Sequence, residues 1–321
     1  MPVNTVRVVR LSAEPIIRPH MDERMGSNIN GPSLIRVPEW IDESLGRYYL
    51  YFADHKGGYI RLAFADALAG PWRMYTPGTL ALEASHFATE RPDPAAVSGG
   101  KRGEAAWTIE RDYLRPHIAS PDVHVDHDRR EIWMYYHGML GDGEQRTRVA
   151  VSRDGIAFEA RPEILGKSYF RVFRHRGWHY ALVMPGEVRR SRDGLTGFEP
   201  GPVLFRPEMR HAAVRRTEEA LDVFWTRVGD APERILHSRV RIDGEWTKWR
   251  EEGAHAVLEP EHEWEGAALR IEPSARGEVT RLARQLRDPC VFEEDGRTYL
   301  LYCGGGESGI GIAEVLGLDP G

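Results

Sequence analysis

The sequence has little of what would place it in a membrane or an oxidising compartment. Two cysteines, Cys290 and Cys303, occur in 321 residues, too few for a disulfide framework. No run of about 18 apolar residues predicts a membrane span, and the first residues lack the charged start and apolar core of a signal peptide. We therefore expect a cytoplasmic protein whose two thiols are buried and reduced.

An excess of basic charge is also absent. The chain carries 43 Lys and Arg against 49 Asp and Glu, for a net charge of -6. Nucleic acids and anionic membranes select basic surfaces, so neither is an expected partner. The expected partner is a small molecule or an oligosaccharide.

The motifs of common cofactor sites are missing as well. No Gly-x-Gly-x-x-Gly or P-loop stands between a strand and a helix, and Gly304-Gly305-Gly306 is interpreted as a turn beside a channel. No His-x-x-x-His helix or cysteine cluster predicts a metal site. We predict that no cofactor is required, and we leave open a structural or catalytic divalent metal assembled from separate segments.

Strand signals dominate what is present. The segment from Arg115 to Gly138 predicts two adjacent strands, Ile118 to Val125 and Ile132 to His137, joined by a polar turn. The same order of strands recurs in looser form around residues 28–66, 169–184, 210–227 and 286–315. Five copies predict an all-β chain built as a five-bladed β-propeller.

The propeller interpretation also accounts for the chain's organisation. The run from Val6 to Leu11 is expected to supply the fourth strand of the last blade and so close the ring without a free sheet edge. With 41% hydrophobic residues, we predict one domain over residues 1–321. Insertions are expected at about residues 76–111 and 251–285, the second with a short helix from Val279 to Leu286.

The inner strands of a propeller line a central channel, and their first residues form a funnel at one end. The polar residues at these positions are Asn28, Asn30, His117, Ser120, Asp122, Tyr169, Arg171, Arg210, His211, Arg287 and Asp288, with Asp54, His55 and His137 in an outer ring. Charged groups that converge there shift one another's pKa values, as acid–base chemistry requires. The alternative is that the histidines are core residues, and that Arg287 and Asp288 form a structural ion pair.

The repeated inner-strand motifs resemble those of the five-bladed β-propeller glycoside hydrolases, the group around glycoside hydrolase families 43, 32, 117 and 130. Family 43 has catalytic carboxylates in its first three blades; the matching positions here read Asn30-Gly31-Pro32, Ser120-Pro121-Asp122 and Tyr169-Phe170-Arg171. Only Arg287-Asp288-Pro289 keeps the Arg-Asp-Pro phrase of family 32, and it lies in the last blade. The resemblance implies the fold, while the carboxylates depart from the family pattern.

The resemblance implies a carbohydrate-active enzyme, most simply a glycoside hydrolase. Hydrolysis ordinarily needs two carboxyl groups, and Asp122 and Asp288 are the candidate pair, expected to face one cavity. His117 or His211 is a candidate acid, as in family 117, and Glu265 a candidate third carboxylate. The predicted substrate contacts are Asn30, Asp54, His55, His137, Tyr169, Arg171, Trp264 and Arg287.

Two other functions stay open. A propeller without the family's carboxylates would suit a non-catalytic sugar-binding protein. The excess of Arg and His at the funnel would suit an anionic sugar such as a uronate, and a lyase with a histidine or Tyr169 as base would cleave it by elimination.

Overall fold

The computed structural model describes residues 6–95, 97 and 113–319 and consists of five antiparallel sheets around a central axis. The first strand of each sheet contacts the first strands of both neighbouring sheets, so that the five strands close a ring. These inner strands are β2 (Asn30–Arg36), β6 (Ile118–Asp126), β11 (Phe170–His175), β15 (Met209–Arg216) and β19 (Leu286–Glu294). The predicted all-β five-bladed propeller is confirmed.

The remaining strands follow outward in each blade. Blade 1 continues with β3 (Tyr48–Ala53), β4 (Tyr59–Ala65) and β5 (Arg73–Ala81). Blade 2 continues with β7 (Glu131–Met139), β8 (Gln145–Ser152) and two short edge strands, β9 (Glu159–Ala160) and β10 (Gly166–Lys167). Blade 3 continues with β12 (Trp178–Val183), β13 (Glu187–Ser191) and β14 (Glu199–Val203). Blade 4 continues with β16 (Ala220–Arg227), β17 (Ile235–Arg241) and β18 (Arg250–Leu258).

Blade 5 joins the two ends of the described chain. It contains β20 (Arg297–Gly304), β21 (Ile310–Leu316) and, as its outer strand, β1 (Arg7–Arg10). Strand β1 pairs antiparallel with β21, with Val8 opposite Val315. The predicted closure by the N-terminal strand is therefore confirmed.

The apolar core lies between blades, not inside a single layer. Each blade packs face to face against the next, which buries both faces of the second strands; β3 is buried along its whole length. Five apolar clusters result, one at each blade interface. Both cysteines are free and buried in this core. The continuous core holds the inner strands, and hence the channel, in a fixed geometry.

The structure corrects both predicted insertions. Residues 76–81 belong to strand β5 and residues 251–258 to strand β18, which are outer strands of their blades. Strand β18 is mostly exposed on both faces, so its sequence lacks the alternation that marks a half-buried strand. In the rest of the first insertion, residues 96 and 98–111 lie outside the described part of the chain. The second insertion is reduced to the loop 259–285.

The helix predicted from Val279 to Leu286 is wrong. That segment is a loop with bends at 281 and 284 that contacts the glycine turn, where Ala283 N donates to Gly305 O at 3.1 Å. Helix in the described residues is confined to 3₁₀ turns at Leu82–Ala84, Trp246–Lys248 and Glu263–Glu265 and to positions 94, 95, 97 and 113. No helix in these ranges is long and apolar enough to span a membrane.

Candidate functional site

Each blade places one residue with a left-handed backbone at the start of its inner strand. The five residues are Gly31 (φ 59°), Ser120 (φ 50°), Tyr169 (φ 68°), His211 (φ 41°) and Asp288 (φ 46°). In four blades the pairing register with the second strand shifts at this residue, which makes it a β-bulge. A non-glycine residue in this conformation costs on the order of 1–3 kcal/mol, and such strain gathers at functional sites.

The bulge also fixes which positions of the blades correspond. Gly31, Ser120 and Asp288 each precede a proline and occupy the same place in their strands. Asp122 lies two residues beyond Ser120, so it is not the counterpart of Asp288. The matching bulge positions of four inner strands therefore bring Ser120, Tyr169, His211 and Asp288 together at one end of the channel.

A cavity of about 400 Å³ opens at this end, and we call it the upper cavity. Its polar lining includes Asn30, His55, Lys56, Ser120, Glu144, Arg146, His137, Lys167, Tyr169, Arg210, His211 and Arg276. The predicted contacts Asn30, His55, His137 and Tyr169 all belong to it. The upper cavity is thus the place where sequence-predicted residues from every blade except the last reach a common space.

Asp288 lies directly beneath the floor of the upper cavity and is fully buried. Tyr169 Oη donates to its Oδ1 at 2.9 Å, and Asn30 Nδ2 donates to its Oδ2 at 3.1 Å. Ser120 Oγ donates to Asn30 Oδ1 at 3.1 Å, which orients the amide. Burial, together with the nearby charge of Glu307, raises the pKa of Asp288 to about 6. The carboxyl can therefore gain and lose a proton near neutral pH.

His211 lies beside Asp288 as a neutral imidazole. Its Nε2 accepts from Arg210 Nη2 at 3.0 Å, and burial and the Arg210 charge hold its pKa well below the usual range. The 3.6 Å contact from this nitrogen to Asp288 Oδ1 is therefore no ion pair. The neutral ring therefore brings no positive charge to offset the burial that raises the pKa of Asp288.

His137 has ring nitrogens that no described residue engages. It lines the upper cavity at 8% exposure, and its buried Nδ1 has no hydrogen-bond partner in the described part of the chain. Burial and the charge of Lys56 lower its pKa well below the usual range, so the ring is neutral and its nitrogens can hydrogen-bond a bound molecule. Its centroid lies 6.5 Å from that of Tyr169. Of the histidines around the floor, His137 is the best placed to hydrogen-bond a bound molecule or its water.

The predicted acid His117 does not reach the upper cavity. It is fully buried behind His137, with 5.9 Å between the ring centroids. Its Nδ1 donates to Arg115 O at 2.7 Å, and its Nε2 lies 3.5 Å from Lys56 Nζ. Burial and the charge of Lys56 lower its pKa. The ring supports the positions of Lys56 and His137 and has no nitrogen left for a substrate.

A buried ion network underlies the floor. Arg287 is fully buried and donates from Nε to Glu233 Oε2 at 2.9 Å and from Nη1 to Glu307 Oε1 at 3.1 Å. Glu307 also contacts His55 Nδ1 at 2.9 Å. Burial alone would raise the pKa of Glu307, but His55 and Arg287 outweigh it and lower the pKa to about 2. Arg287, predicted as a substrate contact, is instead a support that holds two carboxylates and the loop before β19.

Arg171 closes the channel below Tyr169. Its guanidinium carbon lies 4.1 Å from the centre of the Tyr169 ring, and Nε donates to Ala212 O at 2.8 Å. Beneath it a second cavity of about 300 Å³, which we call the lower cavity, opens at the opposite end and is lined by Arg171 and Asp122. Burial and the adjacent Asp288 carboxylate raise the pKa of Tyr169 well above its ordinary value, and the Arg171 charge beneath the ring opposes that rise.

The expectation that Asp122 and Asp288 face one cavity is therefore wrong. Asp122 Oδ2 accepts from Val172 N at 2.7 Å and contacts His124 Nε2 at 2.8 Å in the lower cavity. Burial acts to raise the pKa of Asp122, but the contacts with His124 and Arg171 have the larger combined effect, and the pKa is lowered. Asp122 is therefore an ionised carboxylate. The bulge at Ser120 changes which side chains of the strand face the funnel before the strand reaches Asp122. Asp122 is therefore removed from the catalytic pair.

Glu265 and Trp264 serve the closure of the ring, not the cavity. Glu265 is fully buried and accepts from Arg10 Nε and Tyr302 Oη, both at 2.8 Å. Trp264 stacks on Tyr302 with 6.0 Å between ring centroids and donates from Nε1 to Ala13 O. The roles predicted for them, a third carboxylate and a sugar-stacking ring, are not supported by these positions.

Asp54 also lies outside the lining of the upper cavity. Its Oδ1 accepts from Lys56 N at 2.8 Å, and its Oδ2 lies 3.6 Å from Arg61 Nη2. The carboxylate shapes the turn that presents His55 and Lys56. Its predicted role as a substrate contact becomes a role in positioning those two neighbours.

Sequence reasoning missed several polar residues of this end, including the lining residues Glu144, Arg146, Lys167 and Arg276. Lys56 is only 4% exposed and lines the cavity, while Glu307 and Glu233 hold the network beneath it. Glu307 directly follows the glycine run 304–306, which was interpreted only as a turn. A carboxylate next to such a run, where the backbone approaches the channel, was the available signal.

Metal binding finds no support in the described ranges. They contain no group of three or more His, Cys, Asp or Glu side chains arranged to hold a metal ion. The carboxylates nearest the floor are instead engaged by Tyr169, Asn30, His55 and Arg287.

Comparison with known proteins gives a family and a fold. No family model matches the sequence. The uncharacterized protein R118 of Acanthamoeba polyphaga mimivirus is 32% identical over 337 residues, covering 96% of this chain and 90% of R118. The chain belongs to the R118 family.

Solved structures show which fold the R118 family has. A glycosyl hydrolase from Bacteroides ovatus superposes with a TM-score of 0.60 at 12% identity, covering 96% of this chain and 92% of that one. A glycoside hydrolase family 43 enzyme from Xanthomonas citri, complexed with xylotriose, gives 0.56 at 12% identity, with 94% and 89% covered. The R118-family chain thus has the fold of propeller glycoside hydrolases, and this similarity extends to the fold alone.

Proposed function

We propose that this protein is a carbohydrate-active enzyme that cleaves a glycosidic bond in the upper cavity. The observation that carries the proposal is the hydrogen bond from Tyr169 Oη to Asp288, a buried carboxyl whose pKa is raised to about 6. A base with a pKa near neutrality is what proton transfer at neutral pH requires. The strained backbone of both residues adds support.

Hydrolysis is the first form of this proposal. Tyr169 Oη attacks the anomeric carbon as its proton passes to Asp288, the bond to the glycosidic oxygen breaks, and that oxygen takes a proton from solvent water. A second water then attacks the same carbon, the bond to Tyr169 breaks, Tyr169 recovers its proton from Asp288, and the proton of the attacking water passes to solvent. Some glycoside hydrolases use a tyrosine in this role in place of a carboxylate. Arg171 under the ring stabilises the phenolate that leaves in the second step. Neutral His137, beside Tyr169, is the group we assign to hold the water that protonates the leaving oxygen.

Elimination is the second candidate, favoured by the scarcity of carboxylates. Glu144 is the single Asp or Glu in the described lining of the upper cavity, whereas ordinary glycoside hydrolysis uses two. In an elimination, Tyr169 gives its phenol proton to Asp288, and the phenolate takes the proton from the carbon next to a uronate carboxylate. The electron pair of that C–H bond forms a carbon–carbon double bond as the bond to the glycosidic oxygen breaks. Tyr169 passes the proton it has taken to that oxygen and then recovers its own proton from Asp288.

Two substitutions test the proposal. Tyr169→Phe and Asp288→Asn should each lower kcat by a factor of about 100 or more, because the first removes the reacting oxygen and the second removes the acceptor for its proton. The matched control is Tyr135→Phe, which deletes a buried hydroxyl that donates to Gly194 O at 2.8 Å, between blades. That variant should keep its turnover.

The assay should separate the forms of the proposal. Aryl glycosides and oligosaccharides report hydrolysis by release of the aglycone or of reducing ends, and an unsaturated product that absorbs in the ultraviolet reports elimination. Full activity of both Tyr169→Phe and Asp288→Asn would overturn the assignment. Sugar binding by the wild type with no turnover of any substrate would identify a non-catalytic binding protein.

A further inference from the structure

We propose that the upper cavity takes an acidic oligosaccharide, a chain of uronate residues. This inference rests on the proposed function and names its substrate class. Among the described residues, the charged lining of the cavity consists of five cations and one anion: Lys56, Arg146, Lys167, Arg210, Arg276 and Glu144. The whole chain has a net charge of -6, so this cationic lining runs against the composition of the molecule.

The carboxylates that pair with Lys167 and Arg210 lie outside the cavity lining, so the positive charge of these two cations faces the cavity. Lys167 Nζ pairs with Glu187 Oε2 at 3.0 Å, and Arg210 Nε lies 3.7 Å from Glu233 Oε1. Both of these glutamates are buried and neither lines the cavity. Lys167 and Arg210 therefore stand between these two carboxylates and the cavity space, where a bound anion would meet them first, whereas Arg146 pairs with the lining carboxylate Glu144 at 3.2 Å. Such a site focuses the field on an incoming anion.

The distribution of the cations favours a chain of carboxylates over one compact anion. They come from five separate segments: the turn after β3, strand β8, strand β10, the start of β15 and the loop 259–285. A single phosphate is usually bound by several donors gathered at one point, such as a helix N-terminus or a nest of backbone amides. Charges spaced around a cavity instead match a polymer that carries one carboxylate on every sugar.

Two cations at the rim of the upper cavity, Arg146 and Lys167, can be changed without disturbing the floor. Their effect on the preference for an acidic ligand can therefore be measured separately. Arg146 and Lys167 lie on neighbouring strands of blade 2, paired in register Lys167 opposite Arg146. Their side chains are 32% and 57% exposed. Exposed pairs contribute little to stability, so these residues can be neutralised with the fold intact.

Binding of matched oligosaccharides tests the inference. Oligogalacturonate and its methyl ester share one carbon skeleton and differ in charge, so isothermal titration should show the free acid binding at least about 10-fold more tightly at low salt. That preference should shrink as salt screens the charges. Parallel titrations with oligoglucuronate, oligomannuronate and galactose 6-phosphate identify the anionic group.

Variants tie the preference to the rim. Arg146→Gln and Lys167→Met should each weaken binding of the free acid about 3- to 10-fold and leave the ester within about 2-fold. Lys248→Met is the matched control, because Lys248 is exposed on a turn of blade 4, and it should leave both affinities unchanged.

The outcomes separate this inference from the proposed function. Equal binding of acid and ester, tighter binding of galactose 6-phosphate, or no binding of any uronate oligosaccharide below about 1 mM would each overturn the inference. Turnover of neutral glycosides with no acid preference would leave the proposed function standing alone. Selective binding of a uronate oligosaccharide without turnover would support the inference and reject the enzyme.

Discussion

Asp288 holds its proton more tightly in the folded protein than in an unfolded chain. Burial and the charge of Glu307 both oppose its ionisation and raise its pKa to about 6 from an ordinary value near 3.8. The folded state therefore binds more protons than the unfolded state between these two values, and folding stability falls as the pH rises through them. At neutral pH the ionised Asp288 therefore costs folding stability, and the proposed chemistry is what requires it to be ionised.

This cost predicts how stability depends on pH. Relative to Asp288→Asn, the wild type should lose about 2 kcal/mol of unfolding free energy between pH 4 and pH 7, most of the energy of about two pKa units. Urea unfolding of both proteins across this range measures it. Asp122→Asn is the control: the pKa of Asp122 is lowered, so its penalty should stay nearly constant over this range and shrink only as the pH falls below about 4. A constant difference for Asp288→Asn would contradict the assignment.

The bulge at the start of each inner strand is the element that builds the site. In blade 1 it brings Gly31 against its counterpart in blade 2. A Cβ added to Gly31 would lie 2.8 Å from Ser120 Cα, and the backbone there is left-handed with φ 59°. Glycine is needed at this position both for its conformation and for the close approach of two backbones.

Gly31→Ala should therefore cost about 3 kcal/mol or more, from left-handed strain together with a backbone clash. Gly26→Ala separates the two effects, because Gly26 has φ 68° but no atom within 4 Å of the added Cβ. That control should cost only about 1 kcal/mol. Chemical denaturation gives both values, and a similar cost for the two variants would show that the approach to Ser120 is not tight.

The blades could be predicted from the sequence, and the site only in part. Strands such as Tyr48–Ala53 and Trp178–Val183 are recognisable because apolar, β-prone residues run between turn signals. Arg287-Asp288-Pro289 marked one true floor residue. Asp122 was misplaced because a bulge adds a residue to one strand and so changes which side chains face the channel. Sequence spacing alone does not report that shift.

Side-chain contacts between loops that are distant in the sequence could not be predicted, although the pairing of the first strand with the last blade could. Glu307 meets Asn28 and Arg287, and Glu265 meets Arg10, across 279, 20 and 255 positions of the chain. Such pairs depend on which loops the closed ring brings together. The pattern of a single segment carries no information about them.

At the scale of the whole molecule, the ring is closed without a covalent bond. Strand β1 adds to β21, and Arg10 at its end reaches the turn at Glu263–Glu265. Arg10 donates from Nη2 to Glu265 Oε2 at 2.8 Å, and Tyr302 Oη donates to Glu265 Oε1 at 2.8 Å. Contacts with Arg10 and backbone amides lower the pKa of Glu265 although burial raises it. The buried carboxylate thus joins the first strand, the last blade and the loop 259–285.

Removing this carboxylate should loosen the closure. Glu265→Ala should cost about 3–5 kcal/mol, because it leaves Arg10 and Tyr302 without their shared buried partner. Glu314→Ala, in the same blade, breaks the exposed pair with Arg297 and should cost less than about 1 kcal/mol. Hydrogen exchange adds a local measurement: the amides of β1 should exchange faster in Glu265→Ala than in Glu314→Ala, since β1 opens before the rest of the propeller. Equal exchange in both variants would mean that strand pairing with β21 alone closes the ring, and that the contact between Arg10 and Glu265 adds nothing to it.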